Sequence, residues 1–383
     1  MGRVLVVATA GAGGDLPPLV AAALALRDRG HEIRFVGDQS VQRLLRTIGI
    51  ETETLSPELD LGPRLGSAIT EAMAATNGDL VAAGPILQAR MGAWAQEAAG
   101  PIADAMRRHR PAAVVTSLFG VEAVGLAAPA CPWAVVNSTF YIGPDASRSL
   151  EQDFGPRAIP LIARYATLLA SPDLVLHATD PLFDFGRDRL PPHHHYVGPL
   201  GVWEPPSTPP AYLAAPGDPW ALVSISSQRQ DDVPLAAAAL AALADRPLRI
   251  VLTLGPDHEP GELATVPTNA RVEGTISHAA VLEVGALLVS HAGHGSVMKA
   301  LWHGRPMVLV PWGRDQPGVA ARAAALDVAE VVSRESASAE TIGVAVDRAL
   351  GSESMRAAAA RHAVRLQATN PPVAAASLLE TLL

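Results

Sequence analysis

The segment 287–316, LLVSHAGHGSVMKALWHGRPMVLVPWGRDQ, is where residues able to do chemistry are densest. It opens as an apolar strand ending at His291, turns through AGHG, and continues as a helix expected to begin near Ser296. Gly293 and Gly295 lack a Cβ and let a ligand approach the backbone closely. Ser296 is expected to cap the helix, whose free amides and positive dipole end favour an anion. His291, at the carboxyl end of the strand, can donate a hydrogen bond to a phosphate oxygen, so the turn reads as a diphosphate site. An isolated HxGxG would read more simply, as a tight strand-to-helix turn holding a structural histidine. Here the next strand ends in PWGRDQ and brings Asp315 and Gln316 to the same rim. A carboxylate beside an amide can bond adjacent hydroxyls, as a sugar presents them.

A second candidate lies in the loop after the first strand, ATAGAGGDLPP. Gly11, Gly13 and Gly14 do not have the GxGxxG spacing of a dinucleotide loop, and no lysine follows as in a P-loop. What remains is a turn presenting Asp15 just before a helix whose start is set by Pro17 and Pro18. Two roles are open to Asp15: an N-terminal cap, which aspartate often provides, or a general base. His193-His194-His195 invites a metal reading, but successive strand residues point to opposite faces and do not easily converge on one ion. A solvated strand entry is expected there, and no metal site.

These residues need a scaffold, and the sequence supplies a repeated one. Near-continuous apolar runs at 4–9, 33–37, 113–117, 134–137, 174–178 and 196–198 read as strands buried on both faces, hence parallel. Helical patterns fall between them, at 18–29, 41–48 and 86–108. The alternation stops at 199–219, where seven prolines in 21 residues remove backbone donors and fix φ. It resumes with strands at 221–226, 250–254, 272–275, 287–291, 307–311 and 330–333 and helices at 235–243, 296–303, 316–326, 339–350 and 354–366. The expected organisation is an N-terminal domain (1–198), a proline-rich linker (199–219), a C-terminal domain (220–366) and a last helix (367–383) returning to the first domain. The fold class is α/β, with two doubly wound Rossmann-like sheets facing a cleft. Ligands of such sheets bind outside the carboxyl ends of the strands.

Composition limits what the site can serve. The 383 residues carry 29 basic and 38 acidic side chains, a net charge of −9, with no basic run. That argues against nucleic acid and against an anionic membrane surface as partners. The apolar stretch 120–136 is broken by Glu122, Pro129 and Pro132, so no integral membrane helix is expected. The first strand is too short and lacks the basic flank of a signal peptide. Cys131 stands alone, which rules out a disulfide framework and suits a cytoplasmic protein.

Taken together, His291, Gly293, Gly295, Ser296, Gly304, Pro306, Met307, Asp315 and Gln316 carry a HxGxG[ST] turn, a GxPM step and a DQ pair. With GHE at 30–32 and VSISS at 223–227, the chain resembles the GT-B glycosyltransferases that decorate small molecules. The resemblance implies transfer of a sugar, with inversion, from UDP- or dTDP-sugar to a hydrophobic acceptor such as a polyketide, macrolide, flavonoid or phenol. The nucleotide sugar is then a co-substrate, and no cofactor or metal is implied. His291 would contact the diphosphate, Ser296 and its neighbouring amides the α-phosphate, and Asp315 and Gln316 the sugar. Ser227 would lie on the phosphate side, and Ile276 and His278 would flank the base. Asp15 would be the general base, three residues before Pro18. Where relatives with a histidine base orient it by an aspartate, this chain has Ser117.

Two departures, Thr275 in place of a base-stacking tryptophan and Lys299 in place of a ribose-binding glutamate, move the resemblance toward bacterial natural-product enzymes. Gly14, Met73, Trp94, Ser117, Phe140 and Trp312 fall where the family builds its acceptor pocket. The same fold also serves nucleotide-sugar epimerases, which need several acids and bases around the sugar, and binding proteins that have lost the donor site.

Overall fold

Val4, Leu5, Val6 and Val7 are all buried, with at most 1% of their surface exposed, as a strand covered on both faces requires. The computed structural model describes residues 1–383 except 10–13, 78–79, 144–147, 149, 155–158, 228–229 and 256–257. The described residues form two compact units, 1–205 with 370–383, and 206–369.

In the first unit the strands are β1 (Arg3–Ala8), β2 (Glu32–Gly37), β3 (Thr52–Thr54), β4 (Ala113–Ser117), β5 (Trp133–Asn137), β6 (Leu174–His177) and β7 (His194–Tyr196). They make a parallel sheet of order β3-β2-β1-β4-β5-β6-β7. In the second unit they are β8 (Trp220–Ser224), β9 (Arg249–Thr253), β10 (Ala270–Glu273), β11 (Gly285–Ser290), β12 (Met307–Leu309) and β13 (Ala329–Val331). Their order is β10-β9-β8-β11-β12-β13, again parallel throughout. Counted within its own unit, each sheet runs 3-2-1-4-5-6, with β7 added as a seventh strand at the edge of the first; this is the doubly wound order whose direction reverses beside the first strand. The switch points therefore lie between β1 and β4 and between β8 and β11. Both sheets are the doubly wound Rossmann-like kind, as expected.

The differences from the expected elements have physical causes. β3 reads TET and offers no apolar signal, because an edge strand of three residues buries little. The helices Leu61–Ala75, Val121–Leu126 and His278–Val284 lie in stretches whose periodicity is weak. The 193–195 triplet is not a solvated strand entry: β7 begins at His194, which is 5% exposed. Its Nδ1 lies 3.1 Å from Nε2 of His177, a residue with no exposed surface.

The proline-rich stretch divides between the units. Leu200 is buried in the first unit's core and Trp203 packs against it, whereas Leu213 accepts a hydrogen bond from the Trp220 indole (3.2 Å) in the second. The helix Pro371–Leu379 puts Ala375, Ala376 and Leu379 into the first unit's core, beside the helix Leu16–Asp28. Glu380 accepts from Arg29 (2.6 Å) and meets His31 (3.1 Å).

Candidate functional site

At the switch point of the first sheet stands Asp15, 4% exposed. It occupies the N-cap position of the helix Leu16–Asp28 but in a helical conformation (φ −82°, ψ −34°), and its side chain caps nothing. The carboxylate instead turns to the loops after β4 and β5. Ser138 Oγ donates to Oδ1 (2.9 Å), while Oδ2 is buried with no hydrogen-bond partner within normal distance among the described residues. Burial pushes the pKa of Asp15 up from 3.8 to about 6; Ser117, Ser138 and the Phe119 and Leu118 amides draw it back only in part. Tyr165, edge-on to Phe119 at 6.1 Å, has its phenol pushed up, first by burial and then by the Asp15 and Glu122 carboxylates. Arg164 pairs with Glu122 (2.9 Å) alongside.

A hydrogen-bond wire braces the turn that carries Ser138. Asn137 Nδ2 donates to Phe140 O (2.9 Å) and to His177 Nδ1 (3.0 Å). His177 must then carry its proton on Nε2 and give it to His194 Nδ1, and His194 gives its own Nε2 proton to Leu169 O (3.2 Å). Both imidazoles are thus neutral. Burial is also the first cause holding His177 well below the ordinary histidine range and His194 at about 4.

At the switch point of the second sheet, β11 delivers His291, 7% exposed. Its Nδ1 lies 3.1 Å from Ser224 O, at the end of β8. A carbonyl only accepts, so Nδ1 bears the proton of the neutral ring and Nε2 is bare. Burial lowers the pKa, opposed by Asp232, the Ser224 carbonyl and Asp315. Donation from Nε2 to a phosphate therefore requires the ring to take up a proton. The HxG spacing now has a steric reason: a Cβ on residue 293 would come 2.5 Å from His291 Nε2. One on Gly295 would meet nothing within 4 Å, so the space in front of it is open.

The helix begins at His294, not near Ser296, with Gly293 at the N-cap and no side chain capping it. Ser296 sits in the first turn, 3.5 Å from His278 Nδ1, and so does not serve as the expected cap. A glycine there leaves the first-turn amides without a side-chain acceptor, the arrangement that suits an anion. His278 Nε2 also meets Thr253 Oγ1 at 3.0 Å. Ile276 and Ser227 are half-buried in the neighbouring loops, and Gly255 (φ +80°) packs its Cα face against Ser227.

The rim after β12 holds Asp315 and Gln316, in a different arrangement from a matched pair of sugar ligands. Asp315 is half-buried at the start of the helix Gln316–Ala325 without capping it. Gln316 is 2% exposed, and its Oε1 accepts from the backbone amides of Trp312 (2.8 Å) and Gly313 (3.0 Å). The Trp312 ring lies half-buried under the Arg334 guanidinium, 4.5 Å away.

The remaining candidates scatter. Ser117 stands beside Asp15, and Gly14 is exposed just before it. Trp94 is 2% exposed, its indole donating to Leu59 O (2.9 Å), and Phe140 is fully buried against Phe154 at 5.4 Å; both fill the core. Met73 is half-buried on the helix Leu61–Ala75. Gly11 and Gly13 lie outside the described residues, and so does Arg229, which with Asp231 and Asp232 in SSQRQDD (226–232) reads from sequence as a polar loop over the ligand or a plain surface feature. Sequence reasoning missed Ser138 and Gln230; Asp232, read with Asp231 as part of a polar surface loop, is instead fully buried, just before an alanine-rich helix with proline in its first turn.

Two parallel sheets of this order define the GT-B fold. Solved structures share it: CalG4, the calicheamicin glycosyltransferase, matches with a TM-score of 0.71 at 21% identity, over 100% of this chain and 98% of that one. The spinosyn rhamnosyltransferase SpnG, complexed with spinosyn aglycone, matches with 0.72 at 19% identity, over 100% of both. Within the fold, residues 237–382 match the family of the erythromycin biosynthesis protein CIII-like C-terminal domain. The 4'-demethylrebeccamycin synthase of Lentzea aerocolonigenes is 33% identical over 221 residues, 57% of this chain and 52% of the relative. The demethyllactenocin mycarosyltransferase of Streptomyces fradiae is 28% identical over 244 residues, 62% and 50% respectively. The chain spans about half the length of these curated relatives, and it resembles the natural-product glycosyltransferases in sequence as well as in fold.

Proposed function

We propose that the chain is an inverting glycosyltransferase, moving a sugar from a dTDP- or UDP-sugar to a hydrophobic small-molecule acceptor, with Asp15 as the general base and without a metal. The observation that carries this reading is Asp15: a buried carboxylate at a sheet's switch point that caps no helix and ionises near pH 6. An unperturbed aspartate is a weak base for an alcohol, and a pKa raised toward the working pH improves it. The acceptor oxygen attacks the anomeric carbon from the face opposite the diphosphate, and its proton passes to Asp15. The bond from the anomeric carbon to the diphosphate oxygen breaks, and that oxygen keeps the electron pair. The charge that develops there is met by the first-turn amides of the helix His294–Trp302 and by His291.

Asp315 serves the sugar, with Gln316 beside it, and Ile276 and His278 flank the base. Ser117 joins Ser138 around Asp15, and Gly14, Met73 and Trp312 contribute to acceptor binding. VinC was solved in complex with dTDP and SpnG with thymidine diphosphate, which favours dTDP over UDP here. Among the described residues no helix is long and apolar enough to cross a membrane, and the lone cysteine suits the cytosol.

The test is release of nucleoside diphosphate when the protein meets dTDP- or UDP-glucose and a panel of phenolic, macrolide and other polyketide acceptors. Release that depends on acceptor supports transfer; none with any pair would count against it. Asp15 must be ionised to act, so kcat/KM should fall as pH drops below about 6. Asp15→Asn should lower turnover at least ~100-fold, the scale of a lost general base. An unchanged rate would return Asp15 to a structural role.

A further inference from the structure

Three side chains, those of Gln316, Gln230 and Asp232, form one directed chain of hydrogen bonds in the second unit. Gln316 Oε1 accepts from the Trp312 and Gly313 amides (2.8 and 3.0 Å). Its Nε2 donates to Gln230 Oε1 (3.1 Å). Gln230 Nε2 donates to Asp232 Oδ2 (3.0 Å), which also accepts from the Ser226 amide (2.8 Å). Asp232 has no exposed surface and its side chain does not cap the helix Val233–Leu243 that it precedes.

The direction of this chain is forced from both ends. Backbone amides only donate, so the end of Gln316 facing Trp312 and Gly313 is its oxygen. A carboxylate only accepts, so the end of Gln230 facing Asp232 is its nitrogen. Those two assignments meet correctly at the link between the glutamines, donor to acceptor. Bonds so aligned reinforce one another in a buried setting. The chain ties the loop after β8, which carries Ser226 and Ser227, to the turn after β12, which carries Trp312 to Asp315. That turn needs holding: Arg314 lies at φ +57°, a left-handed conformation costly for a side-chain-bearing residue.

We infer that Gln316, Gln230 and Asp232 act as a positioning relay for the sugar-facing turn. Gln316 serves the donor sugar chiefly by fixing the turn that presents Asp315, and Gln230 matters to the sugar as much as Gln316 does. The inference rests on the donor site proposed above and deepens it. Two acceptor bonds from the main chain and one donor bond to Gln230 leave Gln316 a single N–H for any other contact.

Calorimetry on the full chain separates this from direct sugar contact without needing an acceptor. The readout is the ratio of Kd for dTDP-glucose to Kd for dTDP, with UDP-glucose and UDP as the second pair. Gln230→Met keeps length and cuts the relay. It should leave the nucleoside diphosphate affinity within about twofold and raise the ratio about tenfold, the scale of one lost hydrogen bond. Gln316→Met should raise it equally, and the double variant no further than either single one, as for two links of one chain. The relay is overturned if Gln316→Met raises the ratio and Gln230→Met does not, or if the two effects multiply. It is overturned as well if Gln230→Met weakens both ligands by the same factor, since that marks general loosening. Failure of the wild-type chain to bind either nucleotide would sink the donor site and the relay together. Binding without transfer to any acceptor would sink the transferase reading and leave the relay standing.

Discussion

The most local reason for the sequence pattern is steric. A Cβ at position 293 would lie 2.5 Å from His291 Nε2, closer than packed atoms approach, so Gly293→Ala must displace the imidazole. Loss of one charge-assisted contact costs about 1.5–3 kcal/mol, so binding of nucleoside diphosphate should weaken at least about tenfold. Circular dichroism should stay native, and calorimetry with dTDP reads the loss; unchanged affinity would show that His291 does not face the phosphates. His291 and its glycines could be read from sequence because an imidazole and two small residues at the end of an apolar run are chemically out of place. Ser138 could not, since it reaches Asp15 across 123 positions and a lone serine after a strand carries no signal. The same holds for Gln230 and Gln316, 86 positions apart. Their partnership exists only once β8 and β12 lie in one sheet.

At the scale of elements, the wire from Asn137 through His177 and His194 joins the ends of β5, β6 and β7, and it works only while both rings are neutral. Their folded pKa values lie below the unfolded value of 6.5, with His194 at about 4. The stabilisation is therefore complete above pH 6.5 and is lost as pH falls from there toward 4, where the His194 contribution levels off. A shift of this size amounts to about 3 kcal/mol for His194. Urea unfolding at stepped pH should show the first unit weakening through that window. His194→Gln should flatten that part of the profile; an equally steep loss in the variant would place the acid sensitivity elsewhere. His194 was misjudged from sequence because a run of polar residues reads as solvated, whereas His177 lay in a strand already expected to be buried. Burial of His194 is decided by its neighbours in the sheet. The long apolar strands were legible because burial on both faces leaves no alternation, whereas β3, all polar, left nothing to read.

For the whole molecule, the division of the chain decides what can stand alone. The second unit is one continuous segment, 206–369, with its own buried core. Expressed by itself it should melt cooperatively and bind dTDP or UDP in calorimetry; an unfolded product would show that its core is insufficient. A chain ending at Thr369 should keep that nucleotide binding, yet lose about 3 kcal/mol or more of stability in the first unit, because Leu379 and two alanines leave its core. The alternating strands and helices made the doubly wound class legible. The proline-rich stretch shows only where the pattern breaks; which half Leu200 or Leu213 packs into depends on contacts that no local pattern encodes.

The return of the helix Pro371–Leu379 to the first unit also sets an order of assembly during synthesis. A nascent chain normally completes its domains in the order they are made. Here the segment made second closes while the segment made first still lacks the helix that flanks Leu16–Asp28. The turn bearing Asp15 is attached to that uncovered helix, so the proposed base reaches its final surroundings only after residues 371–379 have left the ribosome.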